Sequence, residues 1–319
     1  MSTAQENDNQ FLYIENDDVA YHLVLADAIT GNKSILLTSS SRISDPKFSP
    51  DRNFIIFGDI YDLFLYNTTT QQVTQLTNSS NSLKYHVNWL PGNNRFTFVE
   101  REIINNQIGN VANILTFDIT NNQITPLIAD GRINLEPVWS PDGRYMVYRV
   151  TDLAQGTSFV PHLYDNLTGT STIISEVVEA DLTLVLPKWS PDSQKIAFRG
   201  RVDGFRIIDM VTRNISLVTP KLEAIPYAWL SNDTLLYNVP FEGFYTINAD
   251  GTNEQPVILQ IPGGNVSSFS FNANFSITPA PTQIPLPTAV PTNTPSLTPT
   301  ITRTPTRTPS PTPSFKANA

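Results

Sequence analysis

Short apolar runs of strand length alternate with polar, turn-forming clusters from Phe11 to Ile277. Phe11-Leu12-Tyr13-Ile14, Ala20-Tyr21-His22-Leu23-Val24-Leu25 and Lys33-Ser34-Ile35-Leu36-Leu37-Thr38 open the series. Alternation at a period of two, broken by Gly, Pro, Asn and Asp, predicts strands joined by tight turns. One phrase stands out within this pattern. Glu136-Pro137-Val138-Trp139-Ser140-Pro141-Asp142-Gly143 runs into Arg144-Tyr145-Met146-Val147-Tyr148. It reads as a strand, a turn and a second strand. Pro141 presets φ, Asp142 can bond nearby backbone, and Gly143 tolerates positive φ.

The phrase recurs as Pro187-Lys188-Trp189-Ser190-Pro191-Asp192 and as Pro46-Lys47-Phe48-Ser49-Pro50-Asp51. Looser copies are Asn88-Trp89-Leu90-Pro91-Gly92, Ala228-Trp229-Leu230-Ser231 and Ser268-Phe269-Ser270-Phe271. The aromatic anchors Phe48, Trp89, Trp139, Trp189, Trp229 and Phe269 are spaced 41, 50, 50, 40 and 40 residues apart. An all-strand repeat of that length is the signature of a β-propeller blade. Six anchors predict an all-β, six-bladed propeller of four-stranded blades. No anchor strand precedes Phe11, so the first blade lacks its inner strand. Val266–Phe271 is expected to supply it, closing the ring with strands from both termini and removing exposed edges.

Two longer connections, Glu102–Asn110 and the stretch around Leu153–Thr157, are expected as loops on one rim. The last full repeat ends Tyr245-Thr246-Ile247-Asn248-Ala249-Asp250-Gly251-Thr252-Asn253. This phrase, with the repeated Pro-x-Trp-Ser-Pro-Asp-Gly, resembles the TolB-type (WD40-like) propeller superfamily from Gln10 to about Ile277. That superfamily includes periplasmic scaffold proteins, propeller domains of prolyl-oligopeptidase-type peptidases and some lyases. The resemblance implies the fold more firmly than the function. Some of its lyases use a histidine-rich metal site. The present chain has three histidines, and His22 and His162 fall in third strands, away from the axis, which departs from that pattern.

The composition changes at Thr278. Thr-Pro and Ser-Pro pairs dominate to Pro313, and proline repeatedly removes donors. Residues 278–319 are expected to be an extended, disordered linker or stalk, and residues 1–9 a disordered N-terminus, leaving the propeller over 10–277. Met1 to Gln10 is polar, so no signal peptide is expected in this chain. The stalk-like tail points to the cell surface, extracellular space or periplasm of a bacterium. A net charge of -9 over 319 residues argues against nucleic acid. No apolar run has the ~18 residues of a membrane-spanning helix. With no cysteine, disulfides, thiolate metal sites and cysteine nucleophiles are excluded.

The Ser-Pro-Asp-Gly turns hold serines, but equivalent copies in several blades mark them as turn residues, not nucleophiles. Gly-x-Ser-x-Gly is absent, as is any strand–helix region for a hydrolase domain. Counting three residues back from each anchor gives Asp45, His86 and Glu136 in three neighbouring blades. In a propeller this position lies near the mouth of the central channel, with Arg42 and Arg132 close by. These five residues are the binding candidates. Asp, Glu and His are also metal ligands and acid–base groups; the plainer reading is a polar rim paired locally. The chain thus reads as a non-catalytic, monomeric scaffold for a protein or peptide, with no catalytic residue and no required cofactor. The alternative is an enzyme or carbohydrate-binding domain whose channel mouth holds a divalent cation.

Overall fold

The computed structural model describes residues 9–79, 81–152, 157–179, 185–200, 203–260, 266–271 and 275. The N-terminal residues 1–8, the connection 153–156, the side chain of Phe269 and the Pro/Thr-rich stretch 278–319 lie outside the described residues. Among the described residues no helix is long and apolar enough to cross a membrane.

The described chain is almost entirely strand, as its alternation predicts. β1 (Gln10–Asn16), β2 (Tyr21–Asp27) and β3 (Lys33–Ser39) form a meander, and β24 (Val266–Phe271) joins it alongside β1 in the order β24-β1-β2-β3. Phe11 faces Phe271 and Leu12 faces Ser270 across this antiparallel seam. The first blade is therefore completed by a strand from the far end of the propeller, as expected. β4 (Ser44–Phe48), β5 (Phe54–Gly58), β6 (Leu63–Asn67) and β7 (Val73–Gln75) form a second four-stranded sheet. Two more are β16 (Val185–Trp189) to β19 (Ile215–Thr219), through β17 (Lys195–Arg199) and β18 (Phe205–Asp209), and β20 (Ile225–Trp229) to β23 (Gln255–Val257), through β21 (Thr234–Val239) and β22 (Gly243–Asn248).

The remaining strands correct the expectation of six separate blades. β8 (Ser82–Trp89), β9 (Arg95–Ile104), β10 (Gln107–Asp118) and β11 (Gln123–Ile128) share one eight-stranded sheet with β12 (Ile133–Trp139), β13 (Tyr145–Asp152), β14 (Thr157–Asp165) and β15 (Thr170–Ile173). The structure thus shows four separate four-stranded blades and one double-width sheet. The cause is the length of β10. Its 12 residues bring Ala112 beside Ile133 in a parallel bridge, where Ala112 N donates to Arg132 O at 3.0 Å. The same length overturns the expected loop at Glu102–Asn110. β9 and β10 keep pairing out to Ile104 and Gln107, around Asn105 and Asn106, whose φ values are 53° and 60°. Two consecutive positive φ angles make the turn whose twist suits a hairpin, and asparagine adopts them readily. One short helix, α1 (Ser175–Glu179), interrupts the all-strand pattern between β15 and β16.

The turns and anchors bind blade to blade. Ser49, Ser140 and Ser190 donate to Asp51, Asp142 and Asp192 at 2.6, 2.5 and 2.6 Å. Each hydroxyl also accepts the backbone N–H of Phe54, Tyr145 or Lys195. These serines are occupied by their turns, as the repeats implied. The Asp N–H groups then reach the next unit: Asp51 N to Asn93 Oδ1, Asp142 N to Ser193 Oγ, and Asp192 N to Asn232 Oδ1, at 2.8–3.1 Å. Gly143, at φ 70°, is packed so that a Cβ would lie 3.1 Å from Pro91 Cγ. The four tryptophans are buried. The indoles of Trp89, Trp189 and Trp229 donate to Lys47, Val138 and Lys188 carbonyls at 3.2, 3.1 and 2.9 Å, each acceptor lying just before the preceding anchor. Trp139 reaches the equivalent carbonyl indirectly, through Thr97 Oγ1 (3.1 Å), which donates to Asn88 O (3.3 Å).

Candidate binding site in the central channel

The inner strands β4, β8, β12, β16, β20 and β24 all contribute to one cavity of about 540 Å³. This volume lies within the range of small-molecule and peptide pockets. It is the axial channel that the propeller architecture provides.

Asp45, His86 and Glu136 line it together. All three have positive φ, at 50°, 53° and 55°. Each sits where its strand slips register against the next, between Ser44 and Lys47, Tyr85 and Asn88, and Leu135 and Val138. Such bulges re-aim a side chain, and here they turn these residues across the seams. Asp45 Oδ2 accepts Val87 N at 2.8 Å from the neighbouring unit. His86 Nδ1 accepts Glu136 N at 3.3 Å. The three residues therefore form a chain of inter-unit hydrogen bonds around half of the mouth.

Their charges are met locally. Lys47 Nζ lies 2.9 Å from Asp45 Oδ1, and Arg149 pairs with Glu136. Burial raises the Asp45 pKa, but the Lys47 ammonium and the hydrogen bonds outweigh it and hold the carboxyl below its usual value. Burial pushes His86 down, against the opposing pull of Asp45 and Glu136. A neutral ring with its proton on Nε2 matches the acceptor role of Nδ1. Among the described residues no three His, Asp or Glu side chains converge so as to hold a metal ion; Asp45, His86 and Glu136 are brought to one wall but not to one point.

The two arginines are not among the lining residues. Arg42 is exposed and does not line the cavity. Arg132 binds Asp130 through Nε at 2.9 Å and Nη2 at 2.5 Å, and its carbonyl accepts Ala112 N. It supports the bridge within the double-width sheet and does not line the cavity. Of the other histidines, His22 bonds Thr38 and Asp17, while His162 is buried against the Tyr148 ring. Neither lines the channel.

Sequence reasoning missed Lys47 and Lys188, which also line the cavity. Each immediately precedes an anchor. The signal was available: strand alternation places that position on the same side as the residue three before the anchor. On the opposite wall Tyr227 and Phe271 meet edge to face at 5.4 Å, beside Pro187, Ile225 and Pro226. The mouth is thus charged on one side and apolar on the other.

The comparisons agree on architecture. The family model of the dipeptidyl peptidase IV N-terminal region matches residues 7–103. No curated protein matches the chain. The chain is similar in structure to TolB from Acinetobacter baumannii, with a TM-score of 0.63 and 19% identity over 83% of this chain and 66% of that one. An oligogalacturonate lyase from Vibrio parahaemolyticus gives 0.60 and 13%, over 79% and 74%. A chain of a nidogen–laminin complex gives 0.56 and 10%, over 77% and 91%. The chain spans about two thirds of the TolB structure. Enzymes and non-enzymes share this architecture, and identities this low speak to fold alone. On repeat phrase, strand order and structural likeness together, the chain is a β-propeller with the TolB-like fold.

Proposed function

We propose that this protein is a non-catalytic scaffold that receives a segment of another protein at the mouth of its central channel. One observation carries the reading. The carboxylates of Asp45 and Glu136, and His86 Nδ1, which would serve acid–base chemistry, are already engaged by Lys47, Arg149 and inter-unit backbone N–H groups. A general base needs a free acceptor within reach of the proton it takes. What the channel offers is a rigid, ready-formed cleft with an apolar wall, which suits binding. The net charge of -9 disfavours nucleic acid as the partner. We place the propeller over 10–277, working as a monomer outside the cytoplasm, with 278–319 as a spacer; the tail composition supports that placement.

Photo-crosslinking tests the reading. A benzophenone amino acid at Tyr227, inside the mouth, is expected to capture a polypeptide in cells, and one at Ile35, on an exposed outer strand, is not. Absence of any polypeptide adduct from Tyr227, together with turnover of an oligouronide by the purified protein, would overturn it in favour of an enzyme.

A further inference from the structure

Lys188 differs from every other charged group on the channel wall. Asp45 is balanced by Lys47 and Glu136 by Arg149. Among the described residues no carboxylate forms an ion pair with Lys188. It lies on β16, half-buried in the cavity, where the charges it senses are Lys47, which repels it, and Asp45, which attracts it. With Arg149 counted behind Glu136, the described channel wall therefore carries one positive charge without an ion-pair partner, inside a protein whose net charge is -9. Leaving an ammonium without a partner in a partly desolvated site is costly. The cost is offset if a ligand brings the missing anion.

We propose that Lys188, flanked by Lys47, is a subsite for the carboxylate of a bound peptide. A single surplus charge matches a monoanion better than a phosphate dianion. The neighbouring wall selects the rest of the ligand. Pro187, Ile225, Pro226, Tyr227 and Phe271 present apolar surface suited to aliphatic and aromatic side chains, whereas a sugar acid needs a row of hydroxyl partners. Lysine donates three hydrogen bonds from a flexible stem, so it tolerates the variable approach of a chain terminus. The subsite rests on the peptide-binding reading given above and specifies which end of the peptide the channel holds.

The test uses the full chain and three probes: acetyl-Ala-Leu-Phe with a free carboxylate, the same tripeptide as its amide, and acetate. Binding is followed by NMR on the Lys188 Cε–H signal, assigned by its loss in Lys188→Met. The free acid is expected to shift that signal and to bind about tenfold tighter than the amide, about 1.4 kcal/mol. Lys188→Met is expected to abolish this preference, and Lys188→Arg to retain most of it. Acetate is expected to bind more weakly than the peptide acid. Equal binding of acid and amide, or an unmoved Lys188 signal, overturns the subsite while leaving a crosslinked partner at Tyr227 as independent support for the scaffold. Acetate binding as tightly as the peptide acid overturns the peptide assignment.

Discussion

Lys84 and Lys188 both sit on inner strands, and their surroundings give them opposite roles. The Lys84 side chain is 2% exposed, yet its ammonium donates to Tyr61 O and Ser82 Oγ, both at 2.8 Å, with Glu100 at 3.7 Å. It is a satisfied structural cation. Among the described residues Lys188 has no such acceptors, and burial, reinforced by repulsion from Lys47, pulls it down to about 8. The unfolded chain binds this proton more tightly, with a pKa near ~10.4. Stability therefore rises with pH between about 8 and ~10.4 and is flat below that window. Lys188→Met is expected to raise the urea midpoint at pH 7, by a margin of about 1–3 kcal/mol, and the margin should shrink as pH climbs to ~10.4. A margin that stays constant with pH would show that Lys188 carries an ordinary pKa. Asp45, His86 and Glu136 were legible by counting back from the anchors. Lys188 was not, because it stands out only by lacking an ion-pair partner among the described residues, and pairing across strands far apart in sequence is not written in any local phrase.

The anchor strands were legible because the phrase that marks them performs one physical task in each unit. A buried indole must satisfy its N–H, and the carbonyl just before the preceding anchor is the acceptor on offer. Trp139 breaks the geometry without breaking the rule, since Thr97 relays the bond to Asn88 O. This predicts a specific coupling. Trp139→Phe and Thr97→Val each leave a polar group of the relay unmatched, so in a double-mutant cycle they should couple by about 0.5–3 kcal/mol. Trp189→Phe paired with Thr97→Val should be additive, because Trp189 bonds Val138 O directly. Additivity in the first cycle would remove the relay. Truncation to alanine at Trp139 or Trp189 is expected to cost about 3–5 kcal/mol, read as a shift of the denaturant midpoint. What the sequence concealed at this scale was strand length. Glu102–Asn110 looks like a loop by composition, and only the paired positive φ angles at Asn105 and Asn106 reveal a hairpin that carries β9 and β10 outward. That extension in turn places Ala112 against β12 and merges two expected blades into one sheet.

At the scale of the whole molecule, stability depends on closing the ring. Without β24, β1 would expose a free edge and the rings of Phe11, Tyr227 and Phe275 would lose Phe271, which stacks or packs edge-on against each at 4.7–5.4 Å. The register Phe11–Phe271 and Ile14–Ser267 ties residues some 260 positions apart, a contact that no local propensity encodes but that a missing inner strand in the first repeat announces. Phe275 is 1% exposed and packs within the cluster containing Phe11, Tyr13 and Leu236. Closure therefore extends to Phe275, just before the composition turns to Thr-Pro pairs at Thr278. Ordering that later stretch would cost ~1–2 kcal/mol per residue in backbone entropy, with few large apolar side chains to offset it. Two truncations separate the contributions. A chain ending at Thr278 is expected to unfold at the temperature of the full chain. A chain ending at Gly264, which lacks β24 and Phe275, is expected to melt lower and less cooperatively, with fast amide exchange in β1. Equal melting of the Gly264 chain would show that the ring holds without its closing strand. A lowered midpoint for the Thr278 chain would show that residues beyond it dock on the propeller, and the spacer assignment would then fail.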